Sequence, residues 1–249
     1  QQDQVNPDDV IHTREQATAK GMTSTLSFPL GNLAPEGSVI KSTSIDPSVL
    51  DENGVYNLIG PARVFTTERE AVRAVKGLGN KKVAPGDVIV LHGRGPMGAG
   101  MEEVAQVALA LKHLSWGKEV ALLTDARFSG VSTGACIGHI SPEALAGGPI
   151  GKVKDGDLIQ IKIDTHNLCG SINLVGTDEN KLSPDKIQQT LKSRKINPKL
   201  TADPRLHHDT QLWAALQNIS GGTWGGAVYD SQKIIDVIKA GENALKEKI

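Results

Sequence analysis

Short apolar runs bounded by glycine, proline and other turn residues recur along the chain, and longer stretches with helical spacing lie between them. The short runs are typical of buried strands, and the longer stretches of helices that bury one face. With their leading turns, the predicted strands lie at 23–28, 38–42, 62–65, 84–93, 119–125 and 153–164. The predicted helices lie at 8–20, 67–79, 100–114, 183–194 and 230–248. This mixture favours an α/β domain around a barrel or a strongly bent sheet.

Composition narrows the class of protein. The chain has 249 residues, of which 39% are hydrophobic and 3% aromatic, which suits one large domain or two small ones with an aliphatic core. We see no internal domain boundary. The net charge of −1 gives no electrostatic reason to expect nucleic acid or an anionic membrane as a partner. No apolar run approaches the roughly 18 residues of a membrane helix, and the polar first residues are not a secretory signal.

The cysteine content bounds the redox chemistry. Cys136 and Cys169 are the only two cysteines, which is no disulfide framework, so we expect a reduced, cytoplasmic setting. Two cysteines alone also cannot hold an iron–sulfur cluster, which usually takes about four ligands. Cys136 is flanked by Ala and Ile and is interpreted as a buried thiol.

The stretch "GRGPMGAGMEEV" (93–104) is a glycine-rich loop between a predicted strand and a predicted helix. It is neither a Walker loop, since no Lys-Ser/Thr follows the glycines, nor a dinucleotide fingerprint. Glu102 and Glu103 would lie in the first turn of the helix at 100–114, where the helix dipole favours carboxylates. That structural explanation covers both residues, and a metal or substrate role for one of them is the alternative.

The stretch "TDARFSGVSTG" (124–134) follows a buried strand and opens a long segment rich in glycine and hydroxyl groups. Asp125 and Arg127 could simply pair, and these are ordinary turn residues. Ligands of α/β folds nevertheless collect at such strand ends, and an Arg can bind a carboxylate substrate with two hydrogen bonds. Ser129 has no base nearby in sequence, so it becomes a candidate base only if a cation lowers the pKa of its hydroxyl.

Two further residues have both a structural and a functional interpretation. His139 lies near an apolar stretch, where histidines more often serve as hydrogen-bonded structure than as catalysts. Lys41 ends a short predicted strand. It is interpreted either as a surface lysine or as a lysine that faces a substrate.

Four stretches of the chain together resemble one enzyme family. They are "GNLAPEGSVIK" (31–41), "GPMGAGMEE" (95–103), the block from "LLTDARFSG" to "KDGDLIQI" (122–161) and "SGGTWGGAVYD" (220–230). They are similar to the C-terminal domain of the dihydroxy-acid and 6-phosphogluconate dehydratases, and the resemblance covers nearly the whole chain. Details such as "KSTSIDPS" and "ALKHLSWGK" resemble the D-xylonate dehydratase subgroup.

The resemblance implies a fold and a domain plan. The fold would be a swivelling β-barrel, that is, a strongly bent mixed sheet flanked by α-helices. Residues 1–22 would form an interdomain linker or helix, and residues 23–249 a single C-terminal domain of a larger dehydratase.

The resemblance also implies a hydro-lyase reaction, in which a 2,3-dihydroxy acid such as D-xylonate loses water to give a 2-keto acid. The family uses an iron–sulfur cluster as Lewis acid for the leaving C3 hydroxyl and a Mg²⁺ ion that binds the substrate. Ser129 matches the serine proposed as base, and Glu103 matches a Mg²⁺ ligand. Arg127 would assist catalysis, and Thr133 and Lys41 would join Ser129 in binding substrate.

The family places the cluster cysteines, for a 2Fe–2S or 4Fe–4S cluster, and the other Mg²⁺ ligands in an N-terminal domain. That domain is the expected partner, together with a sugar acid and further copies of the chain, and the chain alone is expected to be inactive. The chain has Arg94 where most members carry Glu before Gly-Pro, a departure that bears on substrate choice. The alternative is a stand-alone, non-catalytic binding or regulatory module with the same fold.

Overall fold

The computed structural model describes residues 6–22, 25–178 and 180–247. In these residues nine strands form one mixed sheet in the order β1-β2-β6-β5-β4-β3-β7-β8-β9. The strands are β1 Leu26–Ser27, β2 Val39–Lys41, β3 Val55–Phe65, β4 Val88–Leu91, β5 Ala121–Thr124, β6 Ala135–Gly138, β7 Leu158–Asp164, β8 Cys169–Thr177 and β9 Asn180–Lys181. The helices are α1 Pro7–Val10, α2 Arg14–Ala19, α3 Glu68–Val75, α4 Pro96–Ala99, α5 Gln106–Lys112, α6 Pro184–Ser193, α7 His208–Ser220 and α8 Ser231–Lys246.

The sheet has a parallel half and an antiparallel half, and β3 belongs to both. Residues 62–65 of β3 pair with β4 in parallel, whereas residues 55–61 pair with β7 in antiparallel orientation. Strands β4, β5 and β6 continue the parallel half, and every residue in them is buried. Parallel strands are covered on both faces, which explains why these runs are apolar throughout and show no alternation.

The sheet curls until its first edge approaches its far side. Leu30, just beyond β1, forms a parallel bridge with Ser171 of β8. The side chain of Asn32 continues this contact, since its Oδ1 accepts the Leu174 N–H at 2.7 Å and its Nδ2 donates to the Leu174 carbonyl at 3.0 Å. The predicted fold class, a strongly bent mixed sheet flanked by helices, is therefore confirmed.

Two apolar clusters form the core, one inside the curl and one beneath the helices. The inner cluster includes Ile40, Val90, Leu123, Ile137, Ile161 and Ile172. The outer cluster includes Phe65, Ala71, Ile89, Val107, Leu111 and Leu122, which pack α3 and α5 against the parallel strands. None of the helices in the described part of the chain is both long and apolar enough to cross a membrane.

Most predicted elements are present. The strands predicted at 38–42, 84–93, 119–125 and 153–164 contain β2, β4, β5 and β7, and the helices predicted at 67–79, 183–194 and 230–248 contain α3, α6 and α8. Thr67 caps α3, since its Oγ1 accepts the Glu70 N–H at 3.3 Å. The helix predicted at 8–20 is split into α1 and α2 because Thr13 begins a second helix with its own capping box. Of the strand predicted at 23–28, residues 23–24 lie outside the described residues.

The strand predicted at 62–65 is only the end of β3, which begins at Val55. The sequence is misleading here because Gly60 and Pro61 usually break strands. A side chain at position 60 would lie 1.9 Å from the Gly86 carbonyl oxygen, so the glycine serves a close backbone approach inside the strand. Strand β8, helix α7 and the strand β6 inside the long segment after β5 were not predicted. The division into 1–22 and 23–249 stays a prediction.

The helix predicted at 100–114 is wrong in its first turn. Gly100 and Met101 have positive φ angles of 59° and 65°, and α5 begins only at Gln106. Between Met101 and Gln106 the chain runs beside residue 127, and the Val104 N–H donates to the Arg127 carbonyl at 3.0 Å. Glu102 and Glu103 therefore do not lie at a helix N-terminus, and the helix dipole does not explain them.

Candidate active site

The loops that leave the parallel strands meet at one end of the sheet, and Asp125 holds them together. It follows β5 directly and is 1% exposed. Its carboxylate accepts the N–H groups of Gly93 at 3.0 Å, Arg94 at 2.9 Å and Ala144 at 2.9 Å, which belong to the segments beyond β4 and β6. Asp125 therefore binds backbone in place of the ion pair with Arg127 considered from the sequence, and its role is to position these loops.

Glu103 and Arg127 are partners in a parallel backbone bridge. The bridge is closed by the Val104 N–H donating to the Arg127 carbonyl and by the Arg127 N–H donating to the Glu102 carbonyl at 3.3 Å. Both residues are exposed to solvent. The bridge thus places an exposed carboxylate from the loop after β4 beside the loop after β5, at the end of the sheet where ligands of α/β folds bind.

Ser129 lies two residues beyond Arg127 in a tight turn. Its Oγ accepts the Val131 N–H at 3.4 Å and its carbonyl accepts the Ser132 N–H at 3.1 Å. The residue is half-buried. Lys41, at the end of β2, donates from Nζ to the Gly130 carbonyl at 3.1 Å, which brings an ammonium charge to this turn.

The structure therefore brings together four of the five residues predicted for the site, namely Lys41, Glu103, Arg127 and Ser129. Thr133 lies in the same loop and is half-buried, and no hydrogen bond joins its side chain to the other four within the described residues. We call these five residues the loop site. Its charges are mixed, with one exposed carboxylate and two cations on segments that meet beside the turn of Ser129.

Glu102 differs from its neighbour Glu103 because its carboxylate forms an ion pair with a buried arginine of the same chain. Arg94, buried to 5% exposure, donates from Nε to Glu102 at 2.5 Å and from Nη1 to Asp203 at 2.7 Å. Hydrogen bonds from Arg205, and further ones from Arg94, hold the pKa of Asp203 well below its usual range. Arg94 therefore fastens the segment around residue 203 to the glycine-rich loop, and it leaves Glu103 as the carboxylate available to a ligand.

Glu143 was missed by the sequence reasoning, although it stands in the quoted block at 122–161. It is completely buried, and its carboxylate accepts the N–H groups of Met97 at 2.8 Å and Thr223 at 3.3 Å. Burial raises its pKa to about 7. It fastens the glycine-rich loop to the "SGGTWGGAVYD" stretch, and only the spacing of those two motifs around it could have drawn attention to it.

The remaining candidates have structural surroundings. Cys136 is 2% exposed, which confirms its interpretation as a buried thiol, and this burial raises its pKa to about 12. The His139 N–H donates to the Ala126 carbonyl at 2.8 Å, and its ring meets the Phe128 ring edge-on at 6.1 Å. Partial burial and the Arg127 charge lower the pKa of His139. Its ring therefore lies close to the loop site without belonging to it.

The donor groups limit which cofactors this chain could hold. Among the described residues no group of three or more His, Cys, Asp and Glu side chains is arranged around a possible metal ion. Glu103 can supply one oxygen ligand of the kind that Mg²⁺ prefers. Cys136 is buried whereas Cys169 is exposed on β8, so the two thiols do not form a cluster site.

Comparison with known proteins gives consistent results. Residues 9–211 match the model of the "Dihydroxy-acid/6-phosphogluconate dehydratase C-terminal" family. The chain is 57% identical over 245 residues to D-xylonate dehydratase YagF of Escherichia coli K12, which covers 98% of the chain and 37% of the relative. It is 56% identical over 235 residues to D-xylonate dehydratase YjhG of the same organism, covering 94% and 35%. A dihydroxy-acid dehydratase of Lachnospira eligens is 46% identical over 156 residues, covering 62% and 26%.

Proposed function

Because the chain belongs to the dihydroxy-acid/6-phosphogluconate dehydratase family and carries its C-terminal domain, we propose that it is part of a sugar-acid dehydratase. The chain spans little more than a third of the length of the D-xylonate dehydratases, 37% and 35%. The complete enzyme would convert a 2,3-dihydroxy acid, D-xylonate in particular, to a 2-keto-3-deoxy acid. The observation that carries this proposal is the Glu103–Arg127 bridge, because it sets an exposed carboxylate beside the turn that holds Ser129.

Ser129 takes the role of the base that removes the proton from C2. The C2–H electrons form the C2–C3 double bond while the C3 hydroxyl leaves as hydroxide and takes up a proton to become water. The proton that Ser129 removes from C2 balances the one that the leaving hydroxide takes up, and the resulting enol becomes the 2-keto acid. An ordinary serine hydroxyl is a weak base, so it needs positive charge nearby to exist as an alkoxide. Lys41, which binds the Gly130 carbonyl in the same turn, supplies one such charge from this chain.

Glu103 takes the role of a Mg²⁺ ligand, since it is exposed and lies in the same loop junction. Bound Mg²⁺ would supply charge that favours the ionised form of a nearby hydroxyl. Arg127, also exposed, suits the substrate carboxylate because a guanidinium can donate two parallel hydrogen bonds to it. Thr133 would contribute a hydroxyl contact from the same loop.

The chain's own cysteines do not fit an iron–sulfur cluster, since Cys136 is buried and Cys169 is exposed. We propose that an N-terminal domain supplies the cluster, of the 2Fe–2S or 4Fe–4S type, and the other Mg²⁺ ligands. The partners would then be that domain, the sugar acid and further copies of the chain. The 249-residue chain alone would be inactive because it holds only part of the site.

The test is formation of 2-keto acid from D-xylonate by the complete, cluster-reconstituted protein with Mg²⁺. Removal of a general base by Ser129→Ala should lower kcat by at least about a hundredfold. Ser115→Ala makes the same change at an exposed serine and should turn over normally. Normal turnover by Ser129→Ala would disprove the mechanism. Activity of the 249-residue chain alone would disprove the shared site. A complete protein that binds D-xylonate without turnover would favour a binding module.

A further inference from the structure

A cavity of about 650 Å³, the size of a small-molecule pocket, opens at the carboxyl end of β3. Strand β4 accompanies β3 to its last residue, Phe65, whereas β7 begins opposite Pro61, so the end of β3 has the loop before β7 on that side. Since β3, β4 and β5 are parallel, the cavity is at the same end of the sheet as the loop site, where ligands of α/β folds bind. Its lining lies within 64–81, 151–155 and 195–199, so it shares no residue with the loop site.

The lining of this cavity carries an excess of positive charge. Glu70 and Asp155 are its two carboxylates, against six cationic side chains, although the whole chain has a net charge of −1. The six cations are Arg73, Lys81, Lys152, Lys154, Lys195 and Lys199. A cleft lined by one sign of charge focuses the potential and raises the local concentration of ions of the opposite sign. The arrangement therefore favours a ligand with several negative charges.

Three of the six cations are bound by the protein itself. Lys81 pairs with Asp155 at 2.5 Å, which neutralises one of the two carboxylates. Arg73 and Lys152 donate to backbone carbonyls, each at 2.8 Å. These carbonyls hold the side chains in place but do not neutralise their charge.

The other three cations have no partner of their own. Lys154, Lys195 and Lys199 are exposed, and their ammonium groups form no ion pair or hydrogen bond with any residue that the structure describes. An ammonium group has three N–H donors and no acceptor, so all of these donors are available to a ligand that enters the cavity.

The segment that carries Lys195 and Lys199 is held in place by its backbone and by a neighbouring arginine. Arg194 donates to both carboxylate oxygens of the buried Asp157, at 2.5 and 2.9 Å. The Asn197 N–H donates to the Gly151 carbonyl at 2.8 Å. Because the backbone between the two lysines is fixed on the loop before β7, a ligand needs to order only the side chains, which lowers the entropy cost of binding.

We infer that this cavity is a second ligand site, which binds a small molecule with adjacent phosphate groups through Lys154, Lys195 and Lys199. Lysine is a compact point charge that binds phosphate, and a diphosphate brings enough negative charge for several lysines. A sugar acid has a single carboxylate and matches this site less well. The size of the cavity favours a small molecule over nucleic acid. The inference does not depend on the proposed function.

The experiment is a calorimetric titration of the complete protein with inorganic pyrophosphate, in buffer without Mg²⁺ because pyrophosphate binds that ion. We expect saturable binding of one pyrophosphate per chain. Inorganic phosphate, with less charge, should bind more weakly, and D-xylonate should not displace pyrophosphate. The affinity should fall as the salt concentration is raised, because the ammonium groups are exposed to solvent.

Four variants locate the site. Lys154→Gln, Lys195→Gln and Lys199→Gln should each weaken the binding of pyrophosphate about tenfold, as expected for the loss of one hydrogen bond between charged groups. Lys239→Gln makes the matched change at an exposed position of α8 and should bind as the wild type does. All four side chains are exposed, so the variants should fold normally.

The outcomes decide the inference without reference to turnover. Absence of saturable pyrophosphate binding, or equal weakening in Lys239→Gln, would overturn it. A single-stranded oligonucleotide that binds more tightly than pyrophosphate would also overturn it, by identifying a nucleic-acid surface. If pyrophosphate binds as described but D-xylonate is not dehydrated, the second site stands and the proposed function fails. If dehydration occurs and pyrophosphate does not bind, the proposed function stands alone.

Discussion

Glu143 is a carboxyl group with no exposed surface, and its protonation should control the stability of the fold. Burial raises its pKa from 4.5 to about 7, and Asp125 adds to this, while the N–H groups of Met97 and Thr223 act in the opposite direction. A raised pKa in the folded state means that the stabilisation is complete below about pH 4.5 and is lost as the pH rises through about 7. The full change corresponds to about 3 kcal/mol.

We therefore expect the free energy of unfolding of the wild type to fall between pH 5 and pH 8 by about 2 kcal/mol more than that of Glu143→Gln, whose side chain does not titrate. The amide of this variant would lose one of the two backbone contacts, so the variant should be less stable at pH 5 and approach the wild type at pH 8. Urea unfolding at both pH values measures this difference. Glu242→Gln, at an exposed position of α8, should follow the wild type. Parallel pH profiles for wild type and Glu143→Gln would contradict the assignment.

Glu102 and Glu103 are neighbours with different surroundings, so the same substitution should have different effects. Glu103→Gln should raise the Mg²⁺ concentration that half-activates the complete protein by about tenfold, since Mg²⁺ prefers carboxylate oxygens. Glu102→Gln removes one partner of the buried Arg94, and should lower the free energy of unfolding by about 3 kcal/mol with little change in the Mg²⁺ requirement. Activity titrations with Mg²⁺ and urea unfolding of both variants distinguish them. The reverse pattern would assign the metal to Glu102.

At the scale of single residues, the sequence identified residues that lie in recognisable motifs better than residues that act through backbone contacts. Ser129, Glu103 and Arg127 lie in motifs that resemble a known family, and the structure brings them together. Asp125 and Glu143 act through backbone N–H groups from distant parts of the chain, and any residue type except proline can donate such a bond. No side-chain pattern in the sequence marks the partners of these two carboxylates.

At the scale of single elements, the effect of replacing a glycine in a helix depends on whether a neighbouring group leaves room for a Cβ atom. In α4, a Cβ at Gly98 would lie 2.1 Å from the Gly93 carbonyl oxygen. In α8, a Cβ at Gly241 would meet nothing within 4 Å. Gly98→Ala should therefore destabilise the chain by more than about 2 kcal/mol, as overpacking does. Gly241→Ala should stabilise it by up to about 1 kcal/mol, because alanine is the better helix former.

Thermal and urea unfolding of the two variants provide the comparison, and opposite signs are the expected result. A neutral Gly98→Ala would mean that α4 can move away from the Gly93 carbonyl. The contrast cannot be obtained from the sequence, because the Gly93 carbonyl that restricts position 98 comes close only through the folding of the loop after β4.

The same limit explains the elements that were predicted incorrectly. Residues 100–114 have a strong helical pattern, but residues 102–104 pair with the chain around residue 127, and this tertiary contact overrides local preference. Strand β6 lies inside a stretch rich in glycine and hydroxyl groups, and it forms because β5 and β2 offer pairing edges on both sides. Strands β4, β5 and β7 were predicted because their apolar runs are continuous or alternate with the pleat.

At the scale of the whole molecule, the Asn32 side chain adds hydrogen bonds to the backbone bridge that closes the sheet, and these too were beyond the sequence. Asn32 uses its amide as a strand would use its backbone, with both hydrogen bonds made to Leu174, 142 residues away. Its own N–H donates to Asn173 Oδ1 at 2.9 Å. The motif "GNLAPEG" indicates only an ordinary turn until β8 is placed beside it.

Asn32→Ala should therefore open the curl at this edge and lower the free energy of unfolding by about 2–4 kcal/mol, since two backbone groups of Leu174 lose their partners. Asn32→Asp keeps the acceptor and loses the donor, so its loss should be smaller. Asn218→Ala, at an exposed position of α7, makes the same truncation where it should cost little. Urea unfolding measures the stabilities, and hydrogen exchange of the Leu174 amide measures opening at the edge itself. If that amide stays as protected in Asn32→Ala as in the wild type, the Leu30–Ser171 bridge alone closes the sheet and Asn32 is not needed for the curl.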